Sequence, residues 1–74
     1  MVRVGVLGRI VSGDRQGSYV RVDDDQQNTG GYLVLVSADP TFKSGEGSDD
    51  WVESEQHLEA YFRASKWAVN WLSD

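Results

Sequence analysis

The chain has 74 residues and a net charge of −5, a length that suits one small domain, residues 1–74. It contains no cysteine and a single histidine, which excludes a disulfide framework and the usual Cys/His zinc sites. No apolar run approaches the roughly 20 residues needed to cross a bilayer, and the N-terminus lacks a secretory signal pattern, so we expect a cytoplasmic protein that does not contact membranes.

The charges are unevenly distributed. Ten of the twelve acidic residues lie within residues 23–59, where Lys43 is the only basic residue, whereas residues 1–22 carry four arginines and one aspartate. Nucleic-acid binding generally begins from a Lys/Arg surface, so the acidic block argues against nucleic acid as the partner. The block predicts attraction to a basic protein, although excess acids also serve solubility alone.

Three strands are predicted in the first half of the chain. Val2, Val4 and Val6 alternate with other residues, and the pattern continues loosely to Val11, which is typical of a half-buried strand. Residues 12–18 are turn formers, residues 19–23 alternate again, and residues 24–31 form a second polar turn. Residues 32–36 are apolar throughout and indicate a strand covered on both faces.

A connection and a helix follow. Residues 37–50 are polar and contain proline and glycine, which favours a long loop. Asp50 with Glu53 resembles a helix-capping pair. Four apolar or aromatic residues share one helical face, namely Trp51, Leu58, Tyr61 and Phe62, so we predict a helix over residues 51–65. Residues 67–71 alternate again and indicate a closing strand.

The resulting fold class is α+β: a three-stranded antiparallel meander, one helix and a fourth strand, in the order β-β-β-α-β. The single sheet carries the helix on one face. A right-handed crossover through the helix, the form preferred for parallel pairs, can place the last strand beside the first. We expect Tyr32, Val34 and Val36 to line the other face, together with some tryptophans. Long loops, a second copy of the chain or a binding target could cover that face.

Few residues carry recognisable chemistry. His57 has a suitable ordinary pKa for a general base, but no nucleophile accompanies it, and a surface histidine is the simpler interpretation. The run from Asp23 to Asp25 satisfies no calcium-loop frame, which favours an ordinary polar turn. We therefore expect no enzyme activity, no cofactor and no metal site. The tryptophans are typical of a core, with Trp51 the one favoured as an exposed binding residue.

Three segments carry a resemblance to known proteins: residues 28–35 (NTGGYLVL), 49–53 (DDWVE) and 58–62 (LEAYF). They resemble small acidic bacterial proteins of the polymorphic-toxin immunity type, over about residues 19–72. The resemblance implies a cytoplasmic inhibitor that occludes a cognate toxin and presents acidic loop residues to a basic active-site cleft.

Two functional hypotheses remain. The first is a non-enzymatic inhibitor that docks an acidic face on a basic protein such as a toxin or nuclease. Its candidate partner-binding residues are Asp23, Asp24, Asp25, Asp49, Asp50, Trp51, Glu53 and Glu55. The alternative is a small SH3-like barrel that binds RNA or a ribonucleoprotein through its early arginines. A homodimer is compatible with either hypothesis.

Overall fold

The computed structural model describes residues 2–43 and 47–72 and contains one sheet and one helix. The α+β class is therefore confirmed. The elements in chain order are β1 (Gly8–Ser12), β2 (Tyr19–Asp25), β3 (Gly31–Ser37), β4 (Ser48–Val52), α1 (Glu55–Ala64) and β5 (Ala68–Trp71).

All five strands belong to one antiparallel sheet in the order β4-β3-β2-β1-β5. The meander of β1, β2 and β3 is confirmed, because each strand pairs with the next. The last strand lies beside the first, with Gly8 opposite Trp71 and Ile10 opposite Val69. The adjacency agrees with the prediction, but the pair is antiparallel, because the additional strand β4 reverses the chain before the helix. The sheet does not close among the described residues, since β4 and β5 form its two edges, unlike the barrel of the alternative hypothesis.

Strand β4 corrects the predicted connection and the predicted start of the helix. The sequence predicts a loop for residues 48–50 and a helical Trp51, but Ser48–Val52 pair along β3, with Trp51 opposite Leu33 and Asp49 opposite Leu35. The predicted order β-β-β-α-β is therefore corrected to β-β-β-β-α-β among the described residues. The helix instead begins at Glu55, and its N-cap is Ser54, which has an extended backbone and accepts a hydrogen bond from the backbone N–H of His57. Residues 44–46 of the predicted connection lie outside the described residues.

The N-terminal segment is shorter as a strand than its alternating valines predict. Strand β1 begins only at Gly8. Before it, Val4 forms a single parallel bridge to Val22, and the backbone N–H of Gly5 donates to the carbonyl of Val22 over 2.7 Å. Gly5 has a φ of +77°, which glycine adopts at little cost. The chain therefore bends at Gly5 before it enters the sheet.

The core lies between the sheet and α1. It consists of buried side chains from the sheet and two from the helix: Ile10, Val20, Val22, Tyr32, Val34, Val36, Val52, Leu58 and Phe62. The prediction that Tyr32, Val34 and Val36 line the uncovered face was wrong, because these residues point toward the helix. Leu33 and Leu35 alternate with them and occupy the opposite face.

Two of the tryptophans complete the core at the β5 edge. Trp67 meets Phe62 edge-to-face at a centroid distance of 4.9 Å, and Trp71 stacks near the same ring at 6.1 Å. The indole N–H of Trp67 donates to the backbone carbonyl of Asp14. Both side chains are partly buried against the core. The interpretation of these two tryptophans as packing residues is therefore confirmed.

Candidate protein-docking surface

The face of the sheet opposite α1, which we call the open face, carries a mixed set of side chains. Because side chains alternate along each strand, the register places on this face Arg9, Tyr19, Arg21, Asp23, Asp25, Leu33, Leu35, Asp49 and Trp51. The helix covers only the other face. The open face therefore contains three of the predicted acidic residues and the predicted aromatic one.

Trp51 is exposed but held in place. Its side chain keeps 47% of its surface accessible, and its Nε1 donates a hydrogen bond of 2.8 Å to the Thr29 hydroxyl. The indole also lies against the backbone of Gly31, where an added Cβ would come within 2.6 Å of Nε1. A glycine at this position makes room for the ring. Trp51 is thus a fixed aromatic group on the surface, as an interface anchor requires.

Apolar side chains lie on the strand next to Trp51 on the open face. Leu33 lies directly opposite it on β3, and Leu35 follows two residues further along; both leucines are half-buried. Phe42 lies beyond Leu35, with the guanidinium of Arg21 5.0 Å from its ring centre. A cleft of about 310 Å³ runs here, lined by Arg21, Leu35, Val36, Ser37, Phe42, Gly47, Ser48 and Asp49. None of the residues of this apolar centre other than Trp51 was predicted from the sequence as a binding residue, apart from Asp49 at its border.

The acids of the open face differ in their charge balance. Arg21 contacts both carboxylate oxygens of Asp23, at 2.8 and 3.2 Å, so the charge of Asp23 is compensated. Asp25 accepts a hydrogen bond of 3.0 Å from the side-chain amide of Asn28, a neutral partner. Asp49 lies beside the cleft on the edge strand. The open face therefore keeps two carboxylates without a basic partner, Asp25 and Asp49, and one guanidinium without an acidic partner, Arg9, among the described residues.

A second acidic group lies around the hydroxyl of Tyr32, on the helix side of the same sheet end. Burial, together with the nearby carboxylates of Glu55 and Asp24, raises the pKa of Tyr32 above its usual value. An open cleft of about 330 Å³ is lined by Gln26, Tyr32, Glu53, Ser54, Glu55 and Gln56. The register places Asp24, Tyr32 and Val52 in one row, so the β2–β3 turn and the start of α1 share this end.

Asp50 has a structural partner. Its carboxylate accepts a hydrogen bond of 2.5 Å from the hydroxyl of Tyr61 on α1. Burial and this hydrogen bond raise the pKa of Tyr61 to about 12. Asp50 was predicted to cap the helix, and it instead ties the edge strand to the second turn of the helix. The eight predicted residues therefore lie along β4 and at one end of the sheet, but on two faces.

Three of the early arginines also have contacts. Besides Arg21, the guanidinium of Arg9 lies 5.9 Å from the ring centre of Tyr19, and Arg15 donates a hydrogen bond of 2.9 Å to the hydroxyl of Ser48. These three arginines lie on two strands and in the turn that joins them. Only Arg21 forms an ion pair with a predicted site residue within the described parts of the chain.

His57 is exposed, as expected, and its Nδ1 lies 2.7 Å from the hydroxyl of Ser54. Within residues 2–43 and 47–72, no group of three His, Asp or Glu side chains is arranged to hold a metal ion. The same residues include no helix with the length and apolar character needed to span a bilayer. Comparisons with protein-family models, curated proteins and solved structures found no match to this chain.

Proposed function

We propose that this chain is a non-enzymatic protein-binding module of the inhibitor or immunity type, which docks on a basic partner protein through the open face and its acidic surroundings. The observation that carries the proposal is Trp51, a large aromatic side chain that is 47% exposed and yet fixed by Thr29 and Gly31. An ordered aromatic group on a surface loses little conformational freedom on binding.

The surroundings of Trp51 have the composition of an interface. Protein interfaces commonly combine a central apolar patch, rich in aromatic residues, with a polar rim. Here Leu33 and Leu35 form the apolar patch with Trp51, and Asp25 and Asp49 lie toward its edges. The rim acids, with Glu53 and Glu55 beyond the end of β4, would attract a basic surface during encounter.

The resemblance to immunity proteins supports the same function. Two of its segments, residues 28–35 and 49–53, contain Thr29, Gly31, Leu33 and Trp51, which form the centre of the open face. An inhibitor of this kind acts by occupying the partner's active-site cleft. The chain then supplies shape and charge, and no chemical step is assigned to its residues.

The proposal is tested by affinity capture from the producing cells with the wild-type chain and two single variants. Trp51→Ser removes the anchor. Leu72→Ser is its control, because Leu72 is 48% exposed but follows β5 at the opposite edge of the sheet. We expect a basic protein to be retained by the wild type and by Leu72→Ser, and its affinity to fall at least about tenfold with Trp51→Ser.

The salt dependence of binding distinguishes this function from nonspecific ionic adsorption. Raising the ionic strength should slow association with the partner while changing its lifetime less. Failure to retain any basic protein, or equal retention by Trp51→Ser, would overturn the proposal. An RNA filter-binding assay completes the test, since titratable, salt-sensitive RNA binding would favour the alternative accessory module.

A further inference from the structure

We propose that the outer edge of β4 accepts an extended, Lys/Arg-bearing segment of the partner as a sixth strand of the sheet. The inference rests on the proposed function and specifies how the partner is recognised. Addition of a strand to a sheet edge is a general mode of peptide recognition, in which the main chain supplies hydrogen bonds and alternate side chains supply specificity.

Strand β4 is an open edge of the sheet. It pairs with β3 on one side and has no strand on its other side among the described residues. Ser48, Asp49, Asp50 and Trp51 are all exposed. An edge strand of this kind presents unpaired backbone N–H and C=O groups, which can pair with another chain.

The edge formed by β4 carries negative charge. Asp49 projects onto the open face, and Asp50 projects onto the helix face, where it accepts the hydrogen bond from Tyr61 and where Arg15 contacts the neighbouring Ser48. Asp49 is therefore the carboxylate that an added strand would meet directly. Opposite charges on directly opposed strand positions are favourable, and like charges are unfavourable. The edge therefore selects basic side chains. The other edge, β5, has the sequence Ala-Val-Asn-Trp and offers no such selection.

The same charges disfavour a second copy of the chain as the occupant. Antiparallel self-pairing centred on Asp50 would place the two Asp50 residues opposite each other, and parallel in-register pairing would oppose both aspartates. Charged residues on edge strands commonly prevent self-association in this way. The acids thus disfavour pairing of β4 with itself and leave the edge open to a segment of opposite charge.

Trp51 lies two residues beyond Asp49 on the same strand. Both project onto the open face, so an added strand with basic residues at alternate positions would place one beside Asp49 and the next beside the indole. A guanidinium or ammonium group over a tryptophan face makes a favourable cation–π contact. The expected recognition sequence is therefore basic-x-basic in an extended segment.

The test uses the full chain and a short labelled peptide in which arginine and valine alternate. Binding is followed by fluorescence anisotropy, and amide hydrogen exchange is measured over residues 48–52. We expect the peptide to bind and to slow exchange in β4. Two further peptides of the same sequence are N-methylated at every second residue, one at the arginines and the other at the valines. Each keeps the charge but cannot form strand hydrogen bonds along one of its edges. We expect one of these two peptides to bind and the other to lose binding.

Charge reversal identifies the contact with Asp49. Asp49→Lys should weaken binding of the arginine peptide by about tenfold or more and should create binding of the peptide in which glutamate replaces arginine. Glu59→Lys, the same charge change on the helix, should alter neither result, and circular dichroism checks that both variants are folded. Asp49→Asn provides a milder variant and should give an intermediate loss.

Three outcomes would overturn the inference: no binding of the arginine peptide, equal binding of both N-methylated peptides, or binding without slower exchange in residues 48–52. These results concern the edge strand alone. The proposed function fails separately, when affinity capture retains no basic partner or retains it equally with Trp51→Ser. A partner that depends on Trp51 but leaves β4 exchange unchanged would therefore refute strand addition and support docking on the open face.

Discussion

Trp51 and Thr29, which are 22 residues apart, are joined by a hydrogen bond of 2.8 Å from the indole Nε1 to the threonine hydroxyl. Thr29 belongs to the turn between β2 and β3, and Trp51 belongs to the edge strand β4. The contact therefore fixes an exposed ring across the end of β3. A surface tryptophan held by two separate segments is suited to recognition more than to core packing.

Removal of this hydrogen bond should loosen the ring without unfolding the chain. In Thr29→Val, the indole N–H is left to solvent, so we expect a loss of stability of no more than about 1 kcal/mol. The indole N–H resonance of Trp51 should shift and its heteronuclear NOE should fall. Thr41→Val is the control, because the Thr41 hydroxyl donates to the Asp39 carboxylate and lies on a different connection. An unchanged Trp51 resonance in Thr29→Val would contradict the prediction.

Gly31 should tolerate no larger side chain. A Cβ at this position would lie 2.2 Å from the carbonyl oxygen of Val52 and 2.6 Å from the indole nitrogen of Trp51, so either β4 or the ring must move. We expect Gly31→Ala to lower the free energy of unfolding by about 1–3 kcal/mol, as overpacking does, and to raise the accessibility of Trp51 to a fluorescence quencher.

The neighbouring glycine provides the control. Gly30 has a φ of +84° and nothing within 4 Å of an added Cβ, and asparagine tolerates this left-handed backbone. Gly30→Asn should therefore cost less stability than Gly31→Ala and should leave quenching of Trp51 unchanged. Equal stability of the wild type and Gly31→Ala in chemical denaturation would show that the close approach at Gly31 is not restrictive.

The sequence was sufficient for the parts of the fold that local chemistry determines. Clusters of glycine and polar residues marked both turns of the meander, and the alternation of residues 19–23 and 67–71 marked two strands. Strand β4 was missed because Ser48, Asp49 and Asp50 have low strand propensity. Their extended state depends on pairing with β3, which is a tertiary effect that no local pattern reveals.

The functional surface was predicted only in part, for a related reason. Trp51 is 47% exposed, whereas its helical pattern placed it on a buried face and left it only as the tryptophan favoured for exposure. Leu33 and Leu35 were missed, because a run that is apolar at every position does not say which residues face the core. The buried alternation of Val20 and Val22 could have resolved this, since their opposite partners in an antiparallel pair, Val36 and Val34, share their face. The pairing of Arg21 with Asp23 was also missed, although the alternation of residues 19–23 places both side chains on one face of the predicted strand.

Substitution of Ser54 tests whether this residue, and not Asp50 as predicted from the sequence, caps the start of α1. Ser54 accepts a hydrogen bond of 3.2 Å from the backbone N–H of His57. Ser54→Ala should therefore lower the free energy of unfolding by about 1 kcal/mol, and Ser54→Asp should restore most of it because aspartate also caps helices. Thermal or urea denaturation measures both variants; full stability of Ser54→Ala would contradict the assignment of this cap.

Alkaline pH should destabilise the folded state through the contact between Tyr61 and Asp50. Burial and the Asp50 carboxylate raise the pKa of Tyr61 to about 12, from 10.0 for an unperturbed tyrosine. The folded state holds the phenolic proton of Tyr61 more tightly than the unfolded state does. The stabilisation of the fold by the protonated phenol is therefore fully present below about pH 10 and is lost as the pH rises toward 12. The free energy of unfolding should therefore fall across this interval.

Two variants assign that loss to its source. Tyr61→Phe has no phenolic proton, so its stability should fall less steeply above about pH 10, although the raised pKa of Tyr32 leaves a residual slope. Asp50→Asn keeps Tyr61 but removes the negative charge, so spectroscopic titration should show the pKa of Tyr61 moving down toward its usual value. Chemical denaturation at a series of alkaline pH values measures the slope, and an identical slope in the wild type and Tyr61→Phe would exclude Tyr61 as its cause.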